Sequence, residues 1–229
     1  MNIALLTAGG SGTRMNMEIP KQFLTVREKP IIIYTLEQFE KHPNIDAIIV
    51  VCKEGWEEIL SSYAKQFKIS KLKHIVIGGQ TGQESINNGI KELSKFYDNE
   101  DLVLVHDGNR CLVSEDIISN CIAIANKNGN AVAVIPTVEA VVKSRDNNKS
   151  ADLLDRTELF RTQTPHGFKL GKILELHEKA KTKGIVDSVA TCTLSIDLGE
   201  EIYFCKGSEK NLKITTEEDL DIFKSLISI

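Results

Sequence analysis

This chain of 229 residues lacks the residue patterns of a zinc site or a disulfide framework. Its five cysteines are an odd number, and no Cys-x-x-Cys pair occurs among them. Its five histidines show neither His-x-x-x-His nor His-Glu-x-x-His spacing. We therefore expect neither structural zinc nor disulfides, and we predict that the cysteines are reduced thiols.

The chain also lacks a basic cluster and a long apolar run. Lys and Arg number 28 against 32 Asp and Glu, which gives a net charge of -4 and argues against a dedicated nucleic-acid binder. No apolar stretch approaches the roughly 20 residues that a membrane span needs. Residues 1–7 have no basic segment of the kind that opens a secretory signal. These absences predict a cytoplasmic protein that binds neither membrane nor nucleic acid.

Short apolar runs alternate with segments of helical periodicity along the chain. This alternation predicts one α/β domain over 1–229, with a Rossmann-like, mostly parallel sheet flanked by helices. The predicted strands are 3–7, 46–52, 74–77, 102–106, 131–135 and 201–205. The predicted helices are 30–41, 56–67, 83–97, a helix capped by Ser114, 169–180, 188–195 and a last helix behind a capping box of Thr216 and Asp219.

One stretch interrupts the alternation of strands and helices. Residues 139–143 alternate weakly between polar and apolar, and Asp146-Asn147-Asn148 is typical of a turn. We predict a two-stranded β-arm at about 137–165. Because so small an arm cannot form its own core, we expect it to pack on a partner chain and to make a homodimer.

Residues 8–15 form a glycine-rich loop, Ala-Gly-Gly-Ser-Gly-Thr-Arg-Met, directly after a buried strand. Glycines let successive backbone amides approach an anion closely, so the loop is a candidate phosphate nest. A dinucleotide fingerprint would need a third glycine at Met15, and a P-loop would need Gly-Lys-Ser/Thr. Arg14 and Lys21 instead flank the glycines at a spacing that suits a triphosphate. The alternative is a tight turn with a solvated arginine.

Two further segments follow buried strands, at the sheet edge where open α/β folds bind ligands. Gly79 and Ser85 belong to the first of them, and Ser85 could contact a base or ribose, or simply be a hydroxyl at a helix start. Asp107 and Arg110 belong to the second. A carboxylate at the end of a buried strand needs a partner or a task, so Asp107 is a candidate for Mg²⁺ or hydroxyl binding, and an ion pair with Arg110 is the alternative.

The later part of the chain contributes hydrogen-bond donors for phosphate. Arg156, and the segment 161–166 with its sequence Arg-Thr-Gln-Thr-Pro-His, carry the guanidinium, hydroxyl and amide groups that phosphate oxygens accept from. Lys213 lies between the last predicted strand and the last helix. Taken alone, it would be interpreted as a solvated lysine.

Together these motifs resemble the cytidylyltransferases that join CMP to a sugar-alcohol phosphate. The segments Gly-Gly-Ser-Gly-Thr-Arg-Met, Pro-Lys-Gln-Phe-Leu, His-Asp-x-x-Arg, Arg-Thr-Gln-Thr-Pro and Asn-Leu-Lys-Ile-Thr occur in the order and spacing of that family. The resemblance covers nearly the whole chain. The first motif is shared with many sugar nucleotidyltransferases, whereas the full set is specific.

The family has two close branches, and the acceptor stays open between them. One branch makes CDP-ribitol for teichoic acids or capsules, and the other makes CDP-methylerythritol for isoprenoid synthesis. The segments 81–83 and 85–89, Trp56 and Lys206-Gly207 are similar to the ribitol branch, which we favour. Four residues depart from the family pattern on the side expected to hold the acceptor: Gly108, Cys111, Ala140 and Val186.

The resemblance implies that the acceptor phosphate attacks the α-phosphorus of CTP and that pyrophosphate leaves. It implies catalytic roles for Arg14, Lys21 and Lys213, and it makes Asp107 a ligand of Mg²⁺ as well as of the nucleotide. The acceptor would be bound by Arg110, by Thr164 and, from the partner's arm, by Arg156. The nucleotide would be bound by Ala8, Gly9, Gly10, Ser11, Gly12, Thr13, Gly79, Ser85 and Asp107.

Two alternatives belong to other functional classes. A non-catalytic nucleotide-binding module is expected to have lost Arg14, Lys21 or Lys213, and this chain has all three. A dehydrogenase is disfavoured by the glycine spacing.

Overall fold

The computed structural model describes residues 1–10 and 19–228. In these residues eleven strands and seven helices follow one another. The strands are β1 (Asn2–Ala8), β2 (Thr25–Val26), β3 (Lys29–Pro30), β4 (Ala47–Cys52), β5 (Leu72–Ile77), β6 (Leu102–Asp107), β7 (Asn130–Pro136), β8 (Val141–Lys143), β9 (Asp152–Leu154), β10 (Phe160–Lys169) and β11 (Phe204–Lys206). The helices are α1 (Ile31–Lys41), α2 (Glu57–Gln66), α3 (Gly82–Leu93), α4 (Glu115–Asn128), α5 (Leu170–Thr182), α6 (Thr191–Asp197) and α7 (Glu217–Leu226).

Seven strands form the central sheet, in the order β11-β7-β10-β6-β1-β4-β5. β1 pairs in parallel with β4 and with β6, β4 pairs in parallel with β5, and β11 with β7. β10 alone runs antiparallel, between β6 and β7. The predicted α/β fold with a mostly parallel sheet is confirmed, and the carboxyl ends of β1, β4 and β6 meet at one edge of the sheet.

Alternation along β1 shows how one strand supports both faces of the sheet. Ala4 and Leu6 belong to the core on one face, with residues of α1, α2 and α4. Ile3 and Leu5 belong to the core on the other face, with residues of α3 and α5. Because successive side chains of a strand point to opposite faces, a continuous apolar run is what a sheet covered by helices on both sides requires.

Side-chain caps fix the starts of three helices. The hydroxyl of Thr81 accepts from the Glu84 N–H and opens α3, and Ser114 opens α4 in the same way. Thr216 and Asp219 form the predicted capping box of α7. Pro30 lies at the N-cap of α1 rather than at the first helical position.

β8 and β9 pair in an antiparallel hairpin outside the central sheet. In its turn the Asp146 carboxylate accepts from the N–H groups of Asn148 and Lys149, both at 3.1 Å, and Asn147 adopts a φ of 58°. Asn tolerates that left-handed conformation better than most residues. The hairpin is shorter than the predicted arm of about 137–165, because β10 enters the central sheet at Phe160.

Pro165 is the reason why the sequence pattern did not predict β10 as a strand of the central sheet. Proline cannot donate a ladder hydrogen bond, so a central strand containing it is unexpected. Here the register of β10 against β7 shifts between Thr162 and His166, and the Thr164–Pro165 peptide bond is cis. The irregularity accommodates the proline and leaves 162–166 at the sheet edge where β6 ends.

The five cysteines are all buried free thiols. Among the helices of the described ranges, none combines the length and the apolar character that crossing a membrane requires.

Candidate active site

A cavity of about 760 Å³ lies along the carboxyl edge of the sheet. Its glycine end is formed by Gly9, Gly10, Gly79 and Ser85, which follow β1 and β5. Its opposite end, the β10–α6 end, is formed by Thr164, His166 and Thr191. Asp107 lies between the two ends, at the end of β6. The order of the strands therefore separates two binding regions along one cavity.

At the glycine end, two loops approach each other so closely that a side chain would be crowded. The Gly78 N–H donates to the Cys52 carbonyl at 2.8 Å, and the Gly79 N–H donates to Ser85 Oγ at 3.0 Å. A Cβ on Gly78 would lie 3.1 Å from Ser85 Oγ and 3.3 Å from the Gly9 Cα. Ser85 is buried and thus has a structural hydrogen bond as well as a position on the cavity wall.

Gln22 holds the start of the glycine-rich loop. Its side-chain amide is buried and donates to the carbonyls of Ala8 at 2.6 Å and Gly10 at 3.2 Å. The short 3-10 turn Lys21–Phe23 carries it, and Phe23 stacks on Trp56 with 4.5 Å between ring centroids. Lys21 lines the cavity from the same turn. Sequence analysis assigned Gln22 no role, because its partners are backbone atoms of a distant loop.

Two cations share the carboxylate of Asp107 at the centre of the cavity. Arg110 Nε donates to Oδ2 at 2.9 Å, and Lys213 Nζ donates to Oδ1 at 3.0 Å. Burial alone would raise the pKa of Asp107, but the ammonium of Lys213 and the guanidinium of Arg110 outweigh it and hold that pKa below its usual range. Arg110 also donates to the Asn211 carbonyl at 2.7 Å. The predicted ion pair of Asp107 with Arg110 is present, and Lys213 joins it.

A chain of hydrogen bonds fixes the neutral form of His106. The Asp107 N–H donates to Thr164 Oγ1 at 3.0 Å, and that hydroxyl lies 3.0 Å from His106 Nδ1. His106 Nε2 lies 3.1 Å from the Arg110 carbonyl, which can only accept. The ring therefore carries its proton on Nε2 and accepts from Thr164 on Nδ1. Burial lowers the pKa of His106 to about 4, so the ring is neutral at pH 7.

Two buried amides position the segment that carries Lys213. The Asn109 side chain donates through Nδ2 to the Ile214 carbonyl, and the Asn109 backbone carbonyl accepts from the Ile214 N–H at 3.0 Å. Gln163 Nε2 donates to the Ser208 carbonyl at 2.9 Å, and Gln163 Oε1 accepts from the Ser208 N–H at 3.1 Å. Lys213 is thereby held against β6, although its own side chain is 46% exposed.

The structure brings most of the predicted site residues to this cavity. Arg156 is an exception, since it lies in a 3-10 turn after the hairpin and donates to the Val138 carbonyl at 2.9 Å. Ser11, Gly12, Thr13 and Arg14 lie outside the described residues. The predicted residues that line the cavity are Ala8, Gly9, Gly10, Lys21, Gly79, Ser85, Asp107, Arg110, Thr164 and Lys213.

The four residues that depart from the family pattern do not line the cavity formed by the described residues. They are Gly108, Cys111, Ala140 and Val186. A Cβ on Gly108 would lie 2.7 Å from Ile32 Cδ1, so glycine fits a close approach there. The Cys111 thiol is buried and donates to a backbone carbonyl of α1.

His166 and Thr191 line the cavity, and sequence analysis gave neither a role. His166 closes a quoted motif, but nothing in that motif indicates that its ring would be buried at the cavity. Thr191 opens α6, and its position depends on how that helix packs on β7.

The chemistry of the cavity suits one mode of Mg²⁺ binding. In the described part of the chain no three His, Cys, Asp or Glu side chains come together as a metal cage. Asp107 offers one carboxylate, whose oxygens keep lone pairs beyond those given to Arg110 and Lys213. A single carboxylate fits Mg²⁺ that arrives on nucleotide phosphates, because this ion commonly combines one or two carboxylates with phosphate oxygens.

The Asp107 ion pairs predict a pH-dependent cost for Asp107→Asn. At pH 7 the variant should lose about 2 kcal/mol of unfolding free energy, because Arg110 would remain buried without its counter-charge. A carboxylate whose folded pKa is lowered contributes stability above its unfolded pKa of about 3.9 and loses that contribution as the pH falls further. Urea unfolding at pH 7 and pH 3 should therefore show the full difference at pH 7 and a smaller one at pH 3, because the loss is complete only once the pH falls through the folded pKa.

Glu209→Gln is the matched control, since Glu209 pairs with Arg161 at the exposed surface and should cost much less. An equal loss at both pH values in Asp107→Asn would contradict the assignment.

Comparison with known proteins places these features in a family. The chain is 43% identical to ribitol-5-phosphate cytidylyltransferase of Lacticaseibacillus paracasei, over 99% of this chain and 98% of that protein. It is 38% identical to 2-C-methyl-D-erythritol 4-phosphate cytidylyltransferase of Clostridium botulinum, over 99% and 97% of the two chains. The solved structure of 4-diphosphocytidyl-2C-methyl-D-erythritol synthase from Anaerococcus prevotii superposes with a TM-score of 0.83 at 25% identity, over 100% of this chain and 96% of that one.

The family model described as IspD, 2-C-methyl-D-erythritol 4-phosphate cytidylyltransferase, matches residues 2–228. The resemblance inferred from the motifs is confirmed by this match and by the relatives. The chain belongs to the IspD cytidylyltransferase family.

Proposed function

We propose that this protein transfers CMP from CTP to a sugar-alcohol phosphate, with D-ribitol 5-phosphate as the favoured acceptor and pyrophosphate as the second product. The observation that carries the proposal is the single cavity that unites the glycine-rich loop, Lys21, Asp107 and Lys213. Such a cavity offers a phosphate nest, two ammonium groups and a carboxylate within one site. Membership of the IspD family supports the same reaction class.

The reaction is a displacement at phosphorus. An oxygen of the acceptor phosphate forms a bond to the α-phosphorus of CTP, and the bond from that phosphorus to the bridging oxygen breaks. A phosphate monoester has a second pKa near about 6, so its nucleophilic dianion predominates at neutral pH and no general base is needed. The site agrees with this, because burial lowers the pKa values of His106 and His166 to about 4, which makes both rings weak bases.

Charge neutralisation and positioning are then the tasks of the protein. The backbone of Ala8, Gly9 and Gly10, together with Gly79 and Ser85, would hold the cytidine and its first phosphates at the glycine end. Lys21 would stabilise the pentacovalent centre and the leaving pyrophosphate, and Lys213 would contact the α-phosphate. The predicted contribution of Ser11, Gly12, Thr13 and Arg14 belongs to the same loop.

Asp107 would hold Mg²⁺ together with the nucleotide phosphates. When bound, that ion would neutralise phosphate charge as the pyrophosphate leaves. Asp107 also keeps Lys213 and Arg110 at the centre of the cavity, which is a role that the ion pairs alone support.

The acceptor would occupy the β10–α6 end of the cavity. Arg110 lies on that side and can donate to its phosphate. Thr164 lines the same end, but its hydroxyl hydrogen goes to His106 Nδ1, so its oxygen would accept from a hydroxyl of the acceptor. Arg156, which does not line the cavity of its own chain, would complete the site from the arm of a partner.

We propose a homodimer formed through the hairpin arm. Val142 and Leu153 are 60% and 73% exposed on β8 and β9, and a two-stranded hairpin of this size gains stability by packing on another surface. Sedimentation should therefore find a dimer in solution, and a monomer at micromolar concentration would contradict both the dimer and the shared role of Arg156.

We also propose a cytoplasmic location, because five free thiols suit a reducing compartment. Synthesis of a CDP-polyol for cell-wall polymers would fit the favoured acceptor.

The second candidate acceptor is 2-C-methyl-D-erythritol 4-phosphate. The description of the family model and the names of relatives that are 38% and 40% identical favour it. The relative that is 43% identical carries the name of a ribitol-5-phosphate enzyme, as do others at 40% and 38% identity, and this favours ribitol.

The test is pyrophosphate release from CTP and Mg²⁺ with each acceptor in parallel. We expect turnover with ribitol 5-phosphate and a value of kcat/KM with methylerythritol 4-phosphate that is at least about 10-fold lower. The reverse ranking would assign the chain to isoprenoid synthesis. Release with neither acceptor would overturn the proposed function.

Lys21→Ala tests the assignment of the leaving-group contact. We expect kcat to fall by at least about 100-fold, since the variant loses a transition-state charge contact of roughly 3 kcal/mol, comparable to an oxyanion donor. Lys127→Ala is the matched control, because Lys127 is exposed in the last turn of α4, away from the cavity. Near-wild-type turnover in Lys21→Ala would contradict the role of this residue.

A further inference from the structure

Two residues of the cavity wall each carry a buried polar atom that has no hydrogen-bond partner in the described chain. The two atoms are Nε2 of His166 and Oγ1 of Thr191. Both residues are only 2% exposed, and both line the β10–α6 end of the cavity. Burying a polar group without a hydrogen-bond partner costs stability, so two such groups at one binding cavity indicate that a ligand supplies the missing partners.

The fold brings these two residues to the same end of the cavity. His166 lies on β10, opposite Val105 of β6 and Val132 of β7. Thr191 begins α6, whose next residue, Cys192, packs in one cluster with Val132 and Val134. β6, β1 and β4 lie between β10 and β5, whose following loop forms part of the glycine end. The two atoms are therefore separated from the nucleotide region and lie where the acceptor is proposed to bind.

The chemistry of the two atoms indicates what they can bind. The other nitrogen of the His166 ring is engaged by the Gln163 backbone, and burial lowers the pKa of His166 to about 4. The ring is neutral at pH 7, so Nε2 is a bare acceptor. Thr191 Oγ1 can donate and accept. A neutral acceptor suits a hydroxyl group and repels a phosphate, which Arg110 and Lys213 attract instead.

We propose that His166 and Thr191 are specificity-determining residues that bind hydroxyl groups of the acceptor's polyol chain. The inference rests on the proposed function and names the residues that would choose between acceptors. Polyol hydroxyls would satisfy the orphaned atoms when the acceptor binds. An acceptor without hydroxyls at those carbons would leave them unpaired.

The chain offers a matched control for each residue. His177 also has a buried Nε2 without a partner in the described chain, and burial lowers its pKa to about 4, but it lies on α5 away from the cavity wall. Ser195 is a buried hydroxyl in α6 itself, and it donates to the Thr191 carbonyl at 2.9 Å. Removing either group changes the protein interior and keeps the side chains of His166 and Thr191 in place.

The experiment measures kcat/KM for ribitol 5-phosphate, KM for CTP, and the unfolding temperature. Thr191→Val and His166→Leu should each lower kcat/KM for the acceptor by about 10-fold to 100-fold and leave KM for CTP unchanged. Thr191→Ser keeps the hydroxyl and should restore most of the loss. His177→Leu and Ser195→Ala should leave kcat/KM for the acceptor near that of the wild type.

Two readouts separate a binding role from a structural one. Thr191→Val deletes an unpaired buried hydroxyl, so its unfolding temperature should be no lower than that of the wild type, whereas Ser195→Ala loses a hydrogen bond and should unfold at a lower temperature. Monodeoxy analogues of ribitol 5-phosphate supply the second readout. One analogue should be a poorer substrate for the wild type, and Thr191→Val should discriminate against that analogue at least about 10-fold less.

The outcomes distinguish this inference from the function on which it rests. If the wild type turns over ribitol 5-phosphate while Thr191→Val and His166→Leu keep its kcat/KM, the inference is wrong and the function stands. If both variants and both controls lose activity to the same extent, the effect is structural and the inference is wrong. If the wild type uses neither ribitol 5-phosphate nor methylerythritol 4-phosphate, the proposed function fails and the inference fails with it.

Discussion

The geometry of the site depends on one carboxylate that two cations share. Asp107 ends a buried strand, where an unpaired charge would be expensive, and Arg110 and Lys213 make its burial acceptable. Arg110 is three residues away in the chain, but Lys213 is 106 residues away. The pairing with Lys213 therefore ties the segment before the last helix to the centre of the sheet. The side-chain amides of Asn109 and Gln163 reinforce the same connection by donating to backbone carbonyls of that segment.

This arrangement divides the cavity by chemistry as well as by position. The glycine end offers backbone amides and little side-chain bulk, which suits a nucleotide and its phosphates. The β10–α6 end offers hydroxyl and imidazole groups, which suit a polyol. The charged centre lies between them, where a phosphate of each substrate would have to meet. A displacement between two phosphates needs neutralisation and alignment rather than proton abstraction, and the centre supplies positive charge from both sides of Asp107.

Much of this could be predicted from the sequence because it is encoded locally. Continuous apolar runs such as 46–52 predicted buried parallel strands, and the caps at Ser114 and Thr216 depend on residues within one helical turn. The glycine-rich segments could be assigned to the carboxyl edge, because each follows a buried strand.

What the sequence could not predict depends on contacts between distant segments. Part of β10 was assigned to the arm, because polar residues and Pro165 are unusual in a central strand. A register shift against β7 allows the strand to contain them. The side-chain amides of Gln22 and Gln163 donate hydrogen bonds to backbone carbonyls of other segments, which no local pattern predicts. The buried polar atoms of His166 and Thr191 have no hydrogen-bond partner in the folded chain. The sequence does not indicate this, because it depends on which groups surround the two side chains after folding.

The central claim is that one cavity holds CTP at its glycine end and leaves the β10–α6 end for the acceptor. Diffraction from crystals of the protein grown with CTP tests it most directly. The account predicts cytidine against Gly9, Gly79 and Ser85, with the triphosphate extending towards Lys21 and Lys213. Electron density for the nucleotide base beside His166 and Thr191 would contradict it.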